Sequence, residues 1–181
     1  CFLLLNIGGI ELRKGQNDLF KLALRLHKKY NSNFKIACVG PVNTDHGADF
    51  RAKVLSSVVG SNFVFTGAVN DVSIWFRSAD LLVFTSRAEA MPRTILEAMA
   101  SAIPIVSSNV DGIPELIEHC VSGYMYNPGN IDELEKFTIN LMNNADLAKN
   151  FASKARKRYL DLYSRANHRA RLHEILDDML I

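Results

Sequence analysis

The sequence has little of several features that mark particular protein classes. It contains three cysteines, Cys1, Cys38 and Cys120, and no C-x-x-C pair, so neither a disulfide framework nor a zinc site is predicted. The longest apolar runs, such as Cys1–Leu5 and Leu81–Phe84, are far shorter than the ~20 residues that cross a bilayer. Neither charge sign is in excess, since 21 Lys and Arg face 19 Asp and Glu. We therefore expect no transmembrane helix and no nucleic-acid partner.

The first residues indicate a piece of a longer protein. Cys1 stands where an initiator Met is expected and leads directly into the apolar segment Phe2–Leu5. The basic start and the small-residue cleavage site of a signal peptide are both missing, and so is any N-x-S/T acceptor. These features predict a cytoplasmic protein. The basic residues Lys28, Lys29 and Lys154–Arg158 leave open a peripheral contact with the inner membrane face, although solvated helix faces are the favoured explanation.

Short apolar runs alternate with helical patterns along the chain. Apolar residues recur at helical spacing at Leu19, Leu22 and Leu26, and Asn130 with Glu133 three residues later predicts a helix start. Six runs have the length, the apolar composition and the turn-forming neighbours of buried strands. They are Phe2–Ile7, Phe34–Val39, Phe63–Phe65, Leu81–Thr85, Ile105–Ser107 and Tyr124–Tyr126.

This alternation predicts one α/β domain over residues 1–181, with a core over 2–145 and a helical tail of two or three helices over 146–181. Its centre is a doubly wound parallel sheet of about six strands. Ligands bind such sheets outside the carboxyl ends of the strands, so the loops that follow the strands are the candidate sites. They are Gly8–Gly15, Gly40–Gly47, Gly67–Asp71, Ser86–Thr94 and Ser107–Pro114.

The first of these loops has the composition of an anion site. Gly8 and Gly9 let the backbone approach a ligand, and Arg13 and Lys14 place two cations near the start of the next helix. The glycine spacing fits neither G-x-G-x-x-G nor G-x-x-x-x-G-K-[ST], so dinucleotide binding and P-loop chemistry are poorly supported. A simple turn with a solvated basic pair stays an open alternative.

The loop after the fourth strand carries two acidic residues at informative positions. Pro92 fits the first position of a helix, and the N–H groups of Arg93 and Thr94 then offer a phosphate site. Glu89 precedes that helix and would face a group attached to the outer phosphate. Glu97 lies inside the helix, where a carboxylate can accept both hydroxyls of a ribose, as in dinucleotide sites. Two ordinary acids of a helix region are the open alternative.

The two glutamates also carry a resemblance to a known family. Seven residues separate Glu89 from Glu97, and Ala98–Ala100 and Pro104–Val106 follow. This pattern resembles the donor-binding half of retaining GT-B glycosyltransferases, specifically glycosyltransferase family 4 (glycosyl transferases group 1). Other stretches agree with that family in order and spacing, over about residues 2–145. They are Ile7–Gly15, Phe65–Val69, Ala79–Leu81, Asp111–Glu115 and Gly123–Tyr124.

The resemblance implies a role for each matching residue. Glu97 would hold the ribose diol, and Glu89 would contact hydroxyls of the transferred sugar. Lys14 would neutralise the diphosphate, together with main-chain N–H groups near Met91–Thr94, so that Lys14 and Glu89 are the catalytic candidates. Main-chain groups of Gly67–Val69 would contact the base. The family needs no metal for this reaction, so the nucleotide diphosphate sugar is a substrate and no cofactor is expected.

The resemblance also implies a larger protein. The family's acceptor site lies on an N-terminal domain of comparable size, and the whole enzyme transfers a sugar, of hexosyl type, to a glycan or a lipid-linked acceptor, as in polysaccharide biosynthesis. We expect the fragment alone to bind nucleotide weakly and to have no transferase activity. The tail would then pack partly against the N-terminal domain through four apolar residues. They are Leu172, Ile175, Leu176 and Met179.

Several positions depart from the family pattern. Many members have Arg at the position of Gly9, and Arg13 replaces it only if its side chain folds back towards the phosphates. Ala90 and Ala102 stand where Gly is common. Asp111 replaces the first of a glycine pair, and its charge is unfavourable if it faces the diphosphate.

Three other functions fit parts of the pattern. A non-catalytic nucleotide-sugar-binding or interaction domain is the main alternative. A glycosidase also uses two carboxylates, but the basic first loop favours phosphate over a neutral glycan. A nucleotide-sugar epimerase would need further acids and a catalytic histidine that the sequence does not obviously supply.

Overall fold

The computed structural model describes residues 1–30 and 33–179, and a six-stranded sheet forms its centre. The strands are β1 (Phe2–Ile7), β2 (Phe34–Val39), β3 (Phe63–Gly67), β4 (Leu81–Phe84), β5 (Ile105–Ser108) and β6 (Tyr124–Tyr126). All pairs are parallel, in the order β3-β2-β1-β4-β5-β6. Each predicted strand is present, and the predicted doubly wound parallel sheet is confirmed.

Helices cover the sheet and form the C-terminal stretch. A 3-10 turn lies at Leu12–Lys14, another at Gly60–Asn62, and a π-helical turn at Tyr159–Tyr163 separates the last two helices. The α-helices are α1 (Gln16–Tyr30), α2 (Asp45–Leu55), α3 (Ser73–Ser78), α4 (Arg93–Ala100), α5 (Ile113–Leu116), α6 (Ile131–Asn143), α7 (Ala145–Arg158) and α8 (Arg165–Met179).

The apolar pattern places the core on both faces of the sheet. Successive residues of a strand point to opposite faces, so Leu4 packs in one cluster and Leu5 in the other. Leu19 and Leu22 of α1 are fully buried in the cluster of Leu4, whereas Ile95 of α4 is buried in the cluster of Leu5. The residues that recur at helical spacing in the sequence therefore form the buried face of α1.

One predicted helix start is confirmed, and one predicted loop is shorter than expected. Asn130 caps α6 and accepts a hydrogen bond from the Glu133 N–H at 3.2 Å, as predicted. The loop predicted over 40–47 is shorter, because α2 begins at Asp45. Thr44 caps that helix by accepting a hydrogen bond from the Gly47 N–H at 3.0 Å.

The C-terminal helices differ in how they pack. Phe151, Ala152 and Ala155 of α7 are buried against the sheet domain, and Arg158 donates hydrogen bonds to the carbonyl of Leu116 at 3.0 Å and to that of Glu115 at 2.8 Å. By contrast, α8 has no buried residue. The predicted tail is thus helical, although its residues 180 and 181 lie outside the described residues.

The strand order brings two loops together at the centre of the carboxyl edge. β1 pairs with β2 on one side and with β4 on the other. The loops that follow β1 and β4 are therefore neighbours at the point where the strand order reverses, which is where open α/β sheets bind ligands. Over the described ranges, no helix combines the length and the apolar character that a membrane span requires.

Candidate functional site

Three loops meet at the carboxyl edge of the sheet through main-chain hydrogen bonds. The Gly8 N–H donates to the Val39 carbonyl at 2.9 Å, and the Gly40 N–H donates to the Gly67 carbonyl at 3.1 Å. Gln16, at the start of α1, donates its Nε2 to the Gly9 carbonyl at 2.9 Å. The glycine loop after β1 is thus bonded to the start of α1 and to the end of β2, and the residue after β2 is in turn bonded to the end of β3.

The same loop is fastened to the segment after β4. The Arg87 N–H donates to the Arg13 carbonyl at 2.7 Å, and the Thr85 hydroxyl donates to the Lys14 carbonyl at 2.8 Å. Gly15 allows this approach: its φ is +65°, and a Cβ there would lie 2.1 Å from the Thr85 carbonyl oxygen. Arg13 and Lys14 are therefore fixed directly beside the loop that carries Glu89.

The carboxylate of Glu89 lies at the junction of the two loops. Its Oε1 accepts hydrogen bonds from Lys14 Nζ at 2.5 Å, from Ser86 Oγ at 2.8 Å and from Arg13 Nη1 at 3.1 Å. The side chains of Lys14 and Glu89 are 18% and 12% exposed. Among residues 1–30 and 33–179, no hydrogen-bond partner contacts Oε2 of Glu89. The structure thus brings together the two predicted catalytic residues and directs the side chain of Arg13 to Glu89. Contact of Arg13 with the phosphates stays a prediction.

This environment keeps Glu89 ionised. Burial by itself would raise the pKa of Glu89. The hydrogen bonds from Lys14 and Ser86, with the positive charges of Lys14 and Arg13, outweigh burial and lower the pKa below its ordinary value. A glycosidase acid needs the opposite, a raised pKa that keeps its proton at working pH. The carboxylate of Glu89 is therefore suited to accepting hydrogen bonds and to stabilising a nearby positive charge.

The main chain of Glu89 is also fixed on both sides. Its N–H donates to Oδ2 of Asp111 at 2.9 Å, and its carbonyl accepts a hydrogen bond from the Gly112 N–H at 3.2 Å. Asp111 has a φ of 42°, in the left-handed region. The sequence raised the concern that the charge of Asp111 would face the diphosphate. In the structure, one oxygen of this carboxylate instead accepts the hydrogen bond from the Glu89 N–H.

The start of α4 differs by one residue from the prediction. Pro92 has a ψ of 119° and is the capping residue, so the helix begins at Arg93 and the prediction of Pro92 as its first residue is wrong. The Pro92 carbonyl accepts the Ile95 N–H at 3.1 Å. The N–H groups of Arg93 and Thr94 have no hydrogen-bond partner among the described residues. Met91, next to them, is 51% exposed. The predicted donors at this helix start are therefore available.

Glu97 lies one turn into α4, apart from the cluster around Glu89. Its side chain is 36% exposed, and its Oε1 lies 3.7 Å from Nη2 of Arg93, whose own side chain is 90% exposed. Exposed pairs of this kind contribute about 0–1 kcal/mol. Glu97 is thus a half-exposed carboxylate that a ligand can reach by displacing a weak partner.

The predicted base-binding loop after β3 contains one residue beside open space and one that packs against the core. Gly67 has open space where a side chain would project, whereas Val69 is half-buried and packs against the cluster that contains Leu5. Contact of the main chain of Gly67–Val69 with a base stays a prediction.

Comparison with known proteins identifies the family. Residues 2–158 match the sequence model of the family described as Glycosyl transferases group 1. The chain belongs to the glycosyl transferases group 1 family. It is 31% identical over 154 residues to an uncharacterized glycosyltransferase of Haemophilus influenzae, covering 84% of this chain and 43% of that protein. It is also 31% identical over 94 residues to the N-acetyl-alpha-D-glucosaminyl L-malate synthase of Bacillus anthracis, covering 52% of this chain and 25% of that protein.

Solved structures share the fold of this group 1 domain. HepE of Anabaena in complex with UDP superimposes with a TM-score of 0.88 at 21% identity, over 98% of this chain and 49% of that one. The C-terminal domain of the group 1 protein LpcC from Francisella tularensis gives a TM-score of 0.79 at 23% identity, over 90% and 87% of the two chains. The chain spans less than half the length of the curated relatives described above.

One buried network in this group 1 domain was missed by the sequence reasoning. Asp18 is 1% exposed, and its carboxylate accepts hydrogen bonds from Arg87 Nη2 at 2.7 Å, from the Gly129 N–H at 2.9 Å and from the Tyr126 hydroxyl at 3.3 Å. Burial, and then the charge of Asp18, raise the pKa of Tyr126. Asp18 lies next to Leu19 of α1, and this position alone does not distinguish it from a solvated acid.

This network fixes the loop that carries Glu89. Arg87 lies two residues before Glu89, and Asp18 anchors it to the start of α1, close to Lys14. Nowhere in the described ranges do three or more His, Cys, Asp or Glu side chains form a group that could hold a metal ion. Metal independence of the reaction stays a prediction.

Proposed function

We propose that this chain is the C-terminal, donor-binding domain of a retaining family 4 glycosyltransferase. The complete protein would transfer a sugar, of hexosyl type, from a nucleotide diphosphate sugar to a glycan or lipid-linked acceptor. The observation that supports this function best is the contact between Lys14 and Glu89, which lie 2.5 Å apart where the strand order reverses, Glu89 being in the loop that leads to α4.

The cationic side of the site suits the leaving diphosphate. In the transfer, the bond between the anomeric carbon and the phosphate oxygen breaks, and its electron pair stays on the diphosphate. Lys14 and Arg13 supply two positive charges, and the N–H groups of Arg93 and Thr94 add donors at the positive end of α4. Groups that are already in place where negative charge develops stabilise a transition state without reorganising.

The anionic side of the site suits the transferred sugar. Glu89 is ionised, and three donors hold its Oε1, whereas Oε2 has no partner in the described part of the chain and can accept hydrogen bonds from sugar hydroxyls. The negative charge of Glu89 also stabilises the positive charge that an oxocarbenium-like sugar develops. One carboxylate thereby orients the sugar and favours loss of the diphosphate.

Glu97 is the candidate for the ribose. It lies four residues after Arg93, so that a nucleotide whose phosphates bind the start of α4 places its ribose along the first turns of this helix. Two adjacent hydroxyls can donate to the two oxygens of one carboxylate, as in dinucleotide sites. The pair with Arg93, at 3.7 Å, is weak enough to be replaced.

An N-terminal acceptor domain would complete the cleft. The chain spans less than half the length of the relatives reported above. Helix α8, which has no buried residue, exposes apolar side chains that such a domain would cover. They are Leu172, Ile175, Leu176 and Met179, which are 47–76% exposed. We infer that the isolated chain binds nucleotide without turnover. A cytoplasmic location and a peripheral membrane contact remain predictions.

Transfer assays on the full-length protein test this function. Radiolabelled UDP-, GDP- and ADP-sugars are incubated with mixed glycan and lipid-linked acceptors, with and without EDTA, and the anomeric configuration of the product is read by NMR. We expect transfer with retention, unaffected by EDTA and absent from the isolated chain. Nucleotide binding without any transfer would indicate a binding module instead, and the absence of all nucleotide binding would contradict the proposal.

A further inference from the structure

Asp111 makes an unusual contact for an exposed loop residue. It lies between β5 and α5, and its φ of 42° is in the left-handed region, which is uncommon for residues other than glycine although Asp and Asn adopt it more often than the rest. From there its Oδ2 accepts a hydrogen bond from the Glu89 N–H at 2.9 Å, 22 residues away in sequence. A strained backbone at a site is worth a functional hypothesis when the strain has an observed consequence, and here that consequence is the bond to Glu89.

Two bonds from the same loop fix the peptide groups on both sides of Glu89. Asp111 binds its N–H, and the N–H of Gly112 binds its carbonyl at 3.2 Å. Rotation of the Glu89 backbone would redirect its side chain and break the convergence of Lys14 and Ser86 on Oε1. The loop after β5 therefore controls the direction in which Oε2 of Glu89 points.

We infer that Asp111 is a positioning residue for Glu89. This inference rests on the proposed function, in which Glu89 contacts the transferred sugar. In the proposed function Lys14, Arg93 and Thr94 bind the diphosphate, whereas the side chain of Asp111 contacts the main chain of Glu89. Asp111 should therefore act on the sugar-binding part of the site only. Loss of the Asp111 bond should thus lower the rate of transfer and the contribution of the sugar to donor affinity, and should leave affinity for the free nucleotide diphosphate unchanged.

Two substitutions separate positioning from stability. Asp111→Gly removes the acceptor and at the same time relieves the left-handed backbone, which glycine adopts freely. Asp111→Asn keeps a side-chain oxygen that can accept the Glu89 N–H, removes the charge, and tolerates the same φ. A residue with only a structural role would change stability and activity together, whereas we expect Asp111→Gly to be as stable as the wild type or more stable while it loses activity.

The experiment uses the full-length protein with the donor that the wild type turns over. We measure kcat, the affinity for the nucleotide sugar and for the nucleotide diphosphate alone, and thermal unfolding. For Asp111→Gly we expect kcat to fall by about ten- to a hundredfold, the range for a displaced catalytic group, with nucleotide diphosphate affinity unchanged. Asp111→Asn should recover most of kcat. Asp49→Asn, an exposed aspartate of α2, is the charge control.

A double variant tests whether Asp111 acts through Glu89. Residues that act as a unit are not additive, so Asp111→Gly should have little further effect in a Glu89→Ala background. Unchanged kcat in Asp111→Gly, or an equal loss in both backgrounds, would overturn the inference while nucleotide binding by the wild type still supports the proposed function. A wild type that binds none of UDP, GDP and ADP would overturn both.

Discussion

The ammonium group of Lys14 lies 2.5 Å from the carboxylate of Glu89, although the two residues are 75 positions apart in sequence. The contact exists because β1 and β4 are neighbours in the sheet, so that the loops that follow them meet. In the proposed reaction these two groups have different targets, the diphosphate for Lys14 and the sugar for Glu89. Their contact in the free domain keeps both side chains in place before the donor arrives.

Replacing Lys14 should weaken nucleotide binding. A charge-assisted hydrogen bond contributes about 1.5–3 kcal/mol, so we expect Lys14→Ala to lower the affinity for the preferred nucleotide diphosphate by roughly ten- to a hundredfold. Calorimetric titration with UDP, GDP and ADP measures this affinity. Lys21→Ala removes an exposed lysine of α1 and should have no effect; equal losses in the two variants would contradict a specific role for Lys14.

Glu89 should contribute stability that depends on pH. Because its pKa is lower in the folded state than in the unfolded chain, its contribution is complete above the unfolded pKa and is lost as the pH falls through the folded pKa. Glu89→Gln should therefore be less stable than the wild type at pH 7, by about 1 kcal/mol. This difference should shrink on acidification below about pH 4, the ordinary range of a Glu carboxyl. Denaturant unfolding across this range is the measurement.

A matched control for that titration is Glu174→Gln, since Glu174 is an exposed residue of α8. It should leave the pH dependence unchanged. If Glu89→Gln and wild type kept a constant difference in unfolding free energy down to the acid range, the ion pair with Lys14 would not be the source of the stability.

Arg87 should matter more for stability than its exposure suggests. Its removal leaves Asp18, 1% exposed, without a counter-charge, and breaking a buried ion pair typically costs about 3–5 kcal/mol. Because the side chain of Arg87 is itself 37% exposed, and the Gly129 N–H still binds Asp18, we expect Arg87→Ala to cost about 2–3 kcal/mol. Thermal unfolding measures this loss. The control is Arg171→Ala, which removes an exposed arginine of α8 and should change stability little. Equal stability of the two variants would contradict the account.

Gly15 should tolerate no side chain. An alanine Cβ would collide with the Thr85 carbonyl at 2.1 Å, so Gly15→Ala must separate the two site loops. We expect a loss of at least ~2 kcal/mol of unfolding free energy together with nucleotide affinity. Gly67→Ala is a matched control for stability, because its φ of +71° imposes similar backbone strain but no atom lies within 4 Å of the added Cβ. The Gly67→Ala variant should lose only about 1 kcal/mol of unfolding free energy.

The sequence predicted the fold well because apolar runs and helical spacing are local signals. The strands β1, β2 and β6 begin and end where the sequence predicts them. Lys14, Glu89 and Glu97 are predicted as site residues from their positions after β1 and around the start of α4, and their roles stay predictions. The contacts of Glu89 with Lys14 and Asp111 could not be read from sequence, since they depend on the order of the strands and on loop conformations. Asp18 was missed because a buried carboxylate in an amphipathic helix has the same local pattern as a solvated one.

The most direct test of the central claim is a crystal structure of the full-length protein with a non-hydrolysable analogue of its nucleotide diphosphate sugar. We predict the diphosphate within hydrogen-bond distance of Lys14 Nζ and of the Arg93 and Thr94 N–H groups, the ribose on Glu97, and a sugar hydroxyl on Oε2 of Glu89. A ligand bound away from the β1 and β4 loops, with Glu89 and Glu97 facing only solvent or protein, would contradict the account.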